Sequence, residues 1–269
     1  MHIRVGYELV FECLQPVPMI LTLNIHYSRA SDLLEPDVLR LSPSIPITSY
    51  RDLYGNWCSR IVAPPGRLVL TCNALVRDSG TVDACPPQGH SLPVQSLPAE
   101  ALVFLLGSRY CETDLLSELA WQRFGTLPRG LPQVQAICDF VHNHIAFGYQ
   151  HADSTKGAKR VLDERVGVCR DFAHLAIALC RCINIPARYC TGYLGDINVP
   201  PDPAPMDFSA WFEAYLDNAW FTFDARHNQP RAGRILIARG RDAADVAIST
   251  GFGAHTLTNF RVWTYEETA

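Results

Sequence analysis

Gly167-Val168-Cys169-Arg170-Asp171-Phe172-Ala173-His174-Leu175-Ala176-Ile177-Ala178-Leu179-Cys180 is the stretch that decides how the rest of the chain is read. A glycine turn is followed at once by a cysteine, and the cysteine opens an apolar run. Phe172, Leu175, Ala176, Leu179 and Ile183 recur at helical spacing, which predicts a helix that buries one long face. Cys169 then falls in its first turn, where unpaired N–H groups and the helix dipole favour a thiolate. A thiolate is the nucleophile of a cysteine enzyme, whereas most free cysteines are small buried core residues. The surrounding chain has to choose between the two.

Downstream, Asn184-Ile185-Pro186 stops the helix and Ala187 to Leu194 reads as a strand. A loop rich in Pro and Asp follows from Gly195 to Asp207. Two apolar runs, Phe208 to Leu216 and Trp220 to Asp224, flank Asp217-Asn218-Ala219 and predict a hairpin. Upstream, helices are expected from Pro98-Ala99-Glu100, over Asp114 to Phe124, and from Leu131 with Val134, Ile137, Cys138, Val141 and Ile145 on one face. Residues 1 to 85 carry short strand patterns punctuated by Pro and Gly, which suggests a sandwich-like β domain. Residues 86–98 are a linker by composition, leaving 99–269 as the second domain. The tail from Arg239 to Trp263 reads as a charged loop with further strands.

Composition narrows the function classes. The chain has 269 residues, 48% of them hydrophobic and 19% charged, enough for a sizeable core. A net charge of −4 argues against a nucleic-acid surface. No apolar run is long enough to span a bilayer and no N-terminal stretch reads as a signal peptide, so the expectation is a cytoplasmic protein without membrane contact. Ten cysteines in apolar patterns then read as core thiols rather than disulfides. Cys180 and Cys182 are too close for a C-x-x-C knuckle, and neither a metal site nor an acidic calcium loop is visible, so no cofactor is expected. Nothing in the pattern fixes an oligomeric state.

Taken in order, Gly167-x-Cys169-x-x-Phe172-Ala173, Ile185-Pro186-Ala187-Arg188, Gly192-Tyr193, Ala210-Trp211-x-Glu213 and Phe223-Asp224 resemble the bacterial transglutaminase-like superfamily. The resemblance implies an α+β fold: a papain-like core, with a Cys-helix packed on an antiparallel sheet, preceded by an N-terminal β domain. It also implies a Cys-His-Asp triad acting on a peptide or protein amide, as peptidase or acyl transferase. Carried onto this chain, the nucleophile falls on Cys169 and the orienting acid on Asp224. The family's histidine position is occupied by Ser209, which cannot take a thiol proton at neutral pH as imidazole can.

His227, three residues past Asp224, is the candidate replacement base. A two-residue turn at Asp217-Asn218 pairs Phe212 with Phe223, Ala214 with Phe221 and Trp211 with Asp224, and puts Ser209 and Asp224 on one face. His227 has the opposite parity, so it joins them only if the strand ends at Asp224 and turns. His174 lies about 140° round the helix from Cys169 and is a poor partner. His142 and His144 read as partners of a helix C-terminus. Trp211 reads as packing, and Arg188 as half of an ion pair. Three functions follow: an amide-cleaving or amide-transferring cysteine enzyme working through a Cys169 thioester, a degenerate member that binds a peptide or protein in the cleft, or a thiol acyltransferase of the arylamine N-acetyltransferase type.

Overall fold

The computed structural model describes residues 1–267. Two antiparallel sheets are built mainly from the first 77 residues. One runs His255–Glu266, His2–Cys13, Gly66–Arg77, Leu33–Glu35, with Arg40–Ser42 also paired to Gly66–Arg77. The other runs Ser249–Gly251, Val17–Leu21, Trp57–Ala63, Thr48–Arg51. In His2–Cys13 the alternate residues Ile3, Val5, Tyr7, Leu9 and Phe11 share one face and are fully buried, and Arg4, Gly6 and Val10 on the opposite face are covered as well. The sheets are not made by the N-terminal segment alone. Residues 99–269 were expected to form only the second domain, but Ser249–Gly251 and His255–Glu266 return to pair with Val17–Leu21 and His2–Cys13. Alternation in the tail gives strands but cannot say which edge they join.

The middle of the chain is helical: Ala99–Leu102, Thr113–Phe124, Leu131–His144, Ala158–Glu164 and Cys169–Cys182. A four-stranded antiparallel sheet follows, in the order Ala219–Phe223, Ser209–Leu216, Ala187–Leu194, Arg234–Gly240. The Cys169 helix packs on the two central strands of this sheet and against Thr113–Phe124, Leu131–His144 and Ala158–Glu164. Every residue from Asp171 to Cys182 is therefore buried, not one face only. Helices cover the side that a sequence reading assigns to solvent. Residues 86–98 are likewise docked rather than free. Gln88, Gly89 and His90 donate their N–H groups to the Asp217 carboxylate at 2.9, 2.7 and 2.8 Å.

Two histidines are enclosed by this packing. His174 stacks on Tyr110, its Nε2 accepts the Ala243 N–H at 3.1 Å, and its Nδ1 has no partner. His26 is completely buried near Arg239, Arg188 and Arg51. Burial disfavours the imidazolium at both: His174 is held well below its usual value and His26 is lowered to about 3. Below about pH 6.5 the unfolded chain takes up protons that the folded chain refuses. Stability conferred above that pH is thus lost as pH falls towards 3, by about 1.4 kcal/mol per pH unit for each imidazole. Denaturant midpoints measured from pH 7 to 4 should fall with that slope, and His174→Phe or His26→Gln should flatten it.

Candidate active site

Three local structures converge on Cys169, Ser209 and Asp224. The first is the helix start. Asp171 turns back to accept the Val168 N–H at 3.0 Å, capping the turn that presents Cys169. Gly167 allows it, since a Cβ there would stand 2.8 Å from the Asp171 side chain. The second is the strand pair. Ala210 lies opposite Thr191 and Ser209 opposite Gly192. A Cβ on Gly192 would come within 2.1 Å of the Ile235 carbonyl, so only glycine allows the next strand to close up. The Ala210 N–H is the backbone group that favours the Cys169 thiolate.

The third is the end of the hairpin. Asp217 and Asn218 both have positive φ (48° and 62°), as a two-residue turn of matching twist requires. Phe212 pairs with Phe223 and Ala214 with Phe221, as the sequence predicts. The ladder stops there, and the expected Trp211–Asp224 pair does not form. Asp224 instead organises a turn: its Oδ1 accepts the N–H groups of Arg226 and His227 at 3.0 and 3.1 Å. That turn folds His227 back, and its Nδ1 donates to Asp224 Oδ2 at 2.8 Å. Parity along a strand does not apply beyond the strand's end, and an aspartate that takes N–H groups two and three residues on is the signal for such a turn.

Asp224 is nearly inaccessible, yet its carboxyl is held well below the usual carboxylate range. Burial pushes it up, and Arg234, then His227, more than offset this. Arg234 Nη2 reaches Asp224 Oδ2 at 2.9 Å, while its Nε donates to both oxygens of Asp83 at 3.0 and 2.9 Å. His142 donates from Nδ1 to the Arg226 carbonyl at 2.9 Å and steadies the same turn. Arg234 and Asp83 carry no signal in the sequence, and His142 reads there only as a partner of its own helix C-terminus. No spacing rule links them to Asp224, because the contacts join separate elements. The expected ion pair of Arg188 is present, with Glu213 across the strands at 2.5 Å.

Cys169 lies in a cleft of about 380 Å³ together with Tyr110, Tyr149, Phe208 and Val246. His227 and Ser209 line a smaller adjoining pocket of about 50 Å³, and Tyr149 and Asp207 border both. A helix N-terminus favours a thiolate, but here the balance goes the other way. Burial, then the charge of Asp207, push the Cys169 thiol up to about 11, against Arg226 and the Ala210 N–H. At neutral pH the sulfur carries its proton. No group of three or more His, Cys, Asp or Glu side chains placed to hold a metal ion is found among the described residues.

An antiparallel sheet with a buried helix that opens on a cysteine, and an aspartate–histidine pair whose pocket adjoins that cysteine's cleft, make an architecture of the transglutaminase-like kind. The Transglutaminase-like superfamily model matches residues 122–225. An uncharacterized protein of Mycobacterium tuberculosis is 31% identical over 221 residues, covering 73% of this chain and 68% of its own. One from Mycobacterium leprae is 35% identical over 98 residues, 34% of this chain and 35% of its own. A solved structure from Cytophaga hutchinsonii, described as a "putative cysteine protease", superposes with a TM-score of 0.84 at 33% identity, covering 98% of this chain and 90% of that one. The chain belongs to the transglutaminase-like superfamily.

Proposed function

We propose that this protein is a cysteine amidase or acyl transferase in which Cys169 is the nucleophile, His227 the base and Asp224 the group that orients it. The 2.8 Å hydrogen bond from His227 Nδ1 to Asp224 Oδ2 carries the reading. It commits Nδ1 as donor and leaves Nε2 to exchange a proton, the division of labour that a thiol triad needs. Ser209 then requires no role in proton transfer, since the imidazole comes from the turn after the hairpin. Because the resting sulfur is a thiol, attack on an amide carbonyl must be coupled to removal of its proton. The kinship with a protein described as a cysteine protease supports the same class of chemistry.

Acylation by a nitrophenyl ester, followed by mass spectrometry, tests this without knowledge of the substrate. Wild-type protein should carry one acyl group on Cys169, and His227→Ala should slow its appearance by about 10²-fold. Equal rates in the two proteins would remove His227 from the mechanism. The serine at 209 favours a second reading, a cleft that binds a peptide without turning it over. Under it wild-type Cys169 stays unacylated and Ser209→His creates activity where none existed.

A further inference from the structure

The small pocket beside His227 contains two guanidinium groups that no carboxylate among the described residues meets at hydrogen-bond distance. Arg226 lies with its guanidinium carbon 3.8 Å from the centroid of the Phe147 ring. Among the described residues its side chain donates no hydrogen bond and reaches no carboxylate within 4.0 Å, so stacking holds it while its donors stay free. Arg231 is 95% buried by its 5% exposure. Its Nη2 donates to the Gly195 carbonyl at 2.9 Å, its Nε has no partner, and Asp196 stands 3.9 Å away, beyond hydrogen-bond reach. Both line the pocket with His227 and Ser209.

The acids at the same pocket do not pair with them at hydrogen-bond distance. Asp196 accepts the Asp202 N–H at 2.8 Å and Asp202 the Ala204 N–H at 2.9 Å. Asp202 is exposed, and Asp207 is part of the partition shared with the Cys169 cleft. Elsewhere Arg234 is matched by Asp83 and Asp224 and Arg4 by Glu35 and Glu267, while buried Arg181 spends its Nε, Nη1 and Nη2 donors on carbonyls and Ser108 Oγ. A half-buried and a buried cation left without hydrogen-bonded anions around a space of about 50 Å³ are complementary to one small anionic group.

We infer that this pocket binds a carboxylate on the amine half of the amide substrate, with Arg226 making the direct contact and Arg231 supplying the second positive charge. The inference rests on Cys169 and His227 acting as proposed above. In that chemistry the sulfur bonds to the carbonyl carbon and the C–N bond breaks. The proton taken from the thiol passes from His227 to the departing nitrogen. Water then attacks the thioester and gives a proton to His227, which passes it to the departing sulfur as the C–S bond breaks, so that the carboxylic acid is released and the Cys169 thiol is restored. The amine half therefore leaves on the His227 side, where the two guanidinium groups are. The substrate class is a peptide with either a free α-carboxylate or an acidic side chain just beyond the scissile bond.

Binding separates this from the chemistry. Three fluorescent tripeptides, a free acid, its carboxamide, and a carboxamide ending in aspartate, would be titrated by anisotropy against Cys169→Ala protein. At least one carboxylate-bearing peptide should bind about tenfold more tightly than the plain carboxamide. That preference should fall to within about twofold in Cys169→Ala/Arg226→Gln, while Cys169→Ala/Arg226→Lys, which keeps the charge but not the planar stack, should retain part of it. Which carboxylate-bearing peptide binds identifies the source of the anion. Equal binding of all three, no binding of any, or a preference indifferent to Arg226→Gln in a protein with an unchanged melting temperature would overturn the inference. If the carboxylate preference appears but wild-type Cys169 resists acylation, the pocket stands and the catalytic reading falls.

Discussion

Asp224→Asn is expected to lower the acylation rate of Cys169 by 10² to 10⁴-fold, about the range that a positioned base contributes. An asparagine fills the same space, but its amide can turn an N–H toward His227 Nδ1, which would hold the imidazole in the wrong tautomer. The loss of charge is felt on the other side as well. Arg234 would keep Asp83 but lose one of its two anions, in a setting where each was within 2.9 Å. Removing one partner of a buried ion pair costs about 3–5 kcal/mol, so the variant should also unfold at a lower denaturant concentration. Acylation should fall even where the folded fraction is complete. Stability lost without any change in acylation rate would make Asp224 structural only.

The second large effect falls on stability. Arg181 is buried in the last turn of the Cys169 helix and acts as a hub that ties together three separate segments of the chain. Its Nε and Nη2 both reach the Ala187 carbonyl, at 3.0 and 2.9 Å. Nη1 reaches the Leu106 carbonyl at 3.0 Å and Ser108 Oγ at 3.1 Å, and Nη2 also donates to the Arg241 carbonyl at 2.6 Å. Arg181→Met keeps the length of the side chain and removes every donor. The buried Ala187 carbonyl would be left short of a partner at about 1–3 kcal/mol, and the part-buried Leu106 and Arg241 carbonyls at about 1 kcal/mol each, on the order of 4 kcal/mol in all. For a chain of this size that lowers the melting temperature by roughly 10–15 °C. Arg181→Lys should recover part of the loss; a Met variant that melts with the wild type would refute the hub.

What could be read in the sequence follows the range of the interactions. The Cys169 helix, the Phe212–Phe223 register and the family pattern are written in local spacing, and all three are present in the molecule. The turn that folds His227 back onto Asp224 is also local, and becomes legible once Asp224 is read as a turn former instead of a strand residue. Arg234 with Asp83, His142 with the Arg226 carbonyl, and the seating of residues 88–90 on Asp217 join positions far apart in the chain. No periodicity encodes them. The Cys169 thiol shows the other limit. Position at a helix start predicts a thiolate, but burial and Asp207 depend on the surrounding packing and reverse the outcome.

The pairing of His2–Cys13 with His255–Glu266 has a consequence for how the molecule is made. His2–Cys13 is a central strand of its sheet, and one of its two neighbours is translated only after the whole helical core and its sheet. Until that neighbour leaves the ribosome, the early strand has one unpaired edge, with Ile3, Val5, Tyr7, Leu9 and Phe11 already committed to a core face. Contacts of such sequence separation slow folding, and an open edge during the wait invites pairing with another chain. The thiol centre lies between the two halves of that closure in sequence, so its helix and hairpin are synthesised while the scaffold around them is still incomplete.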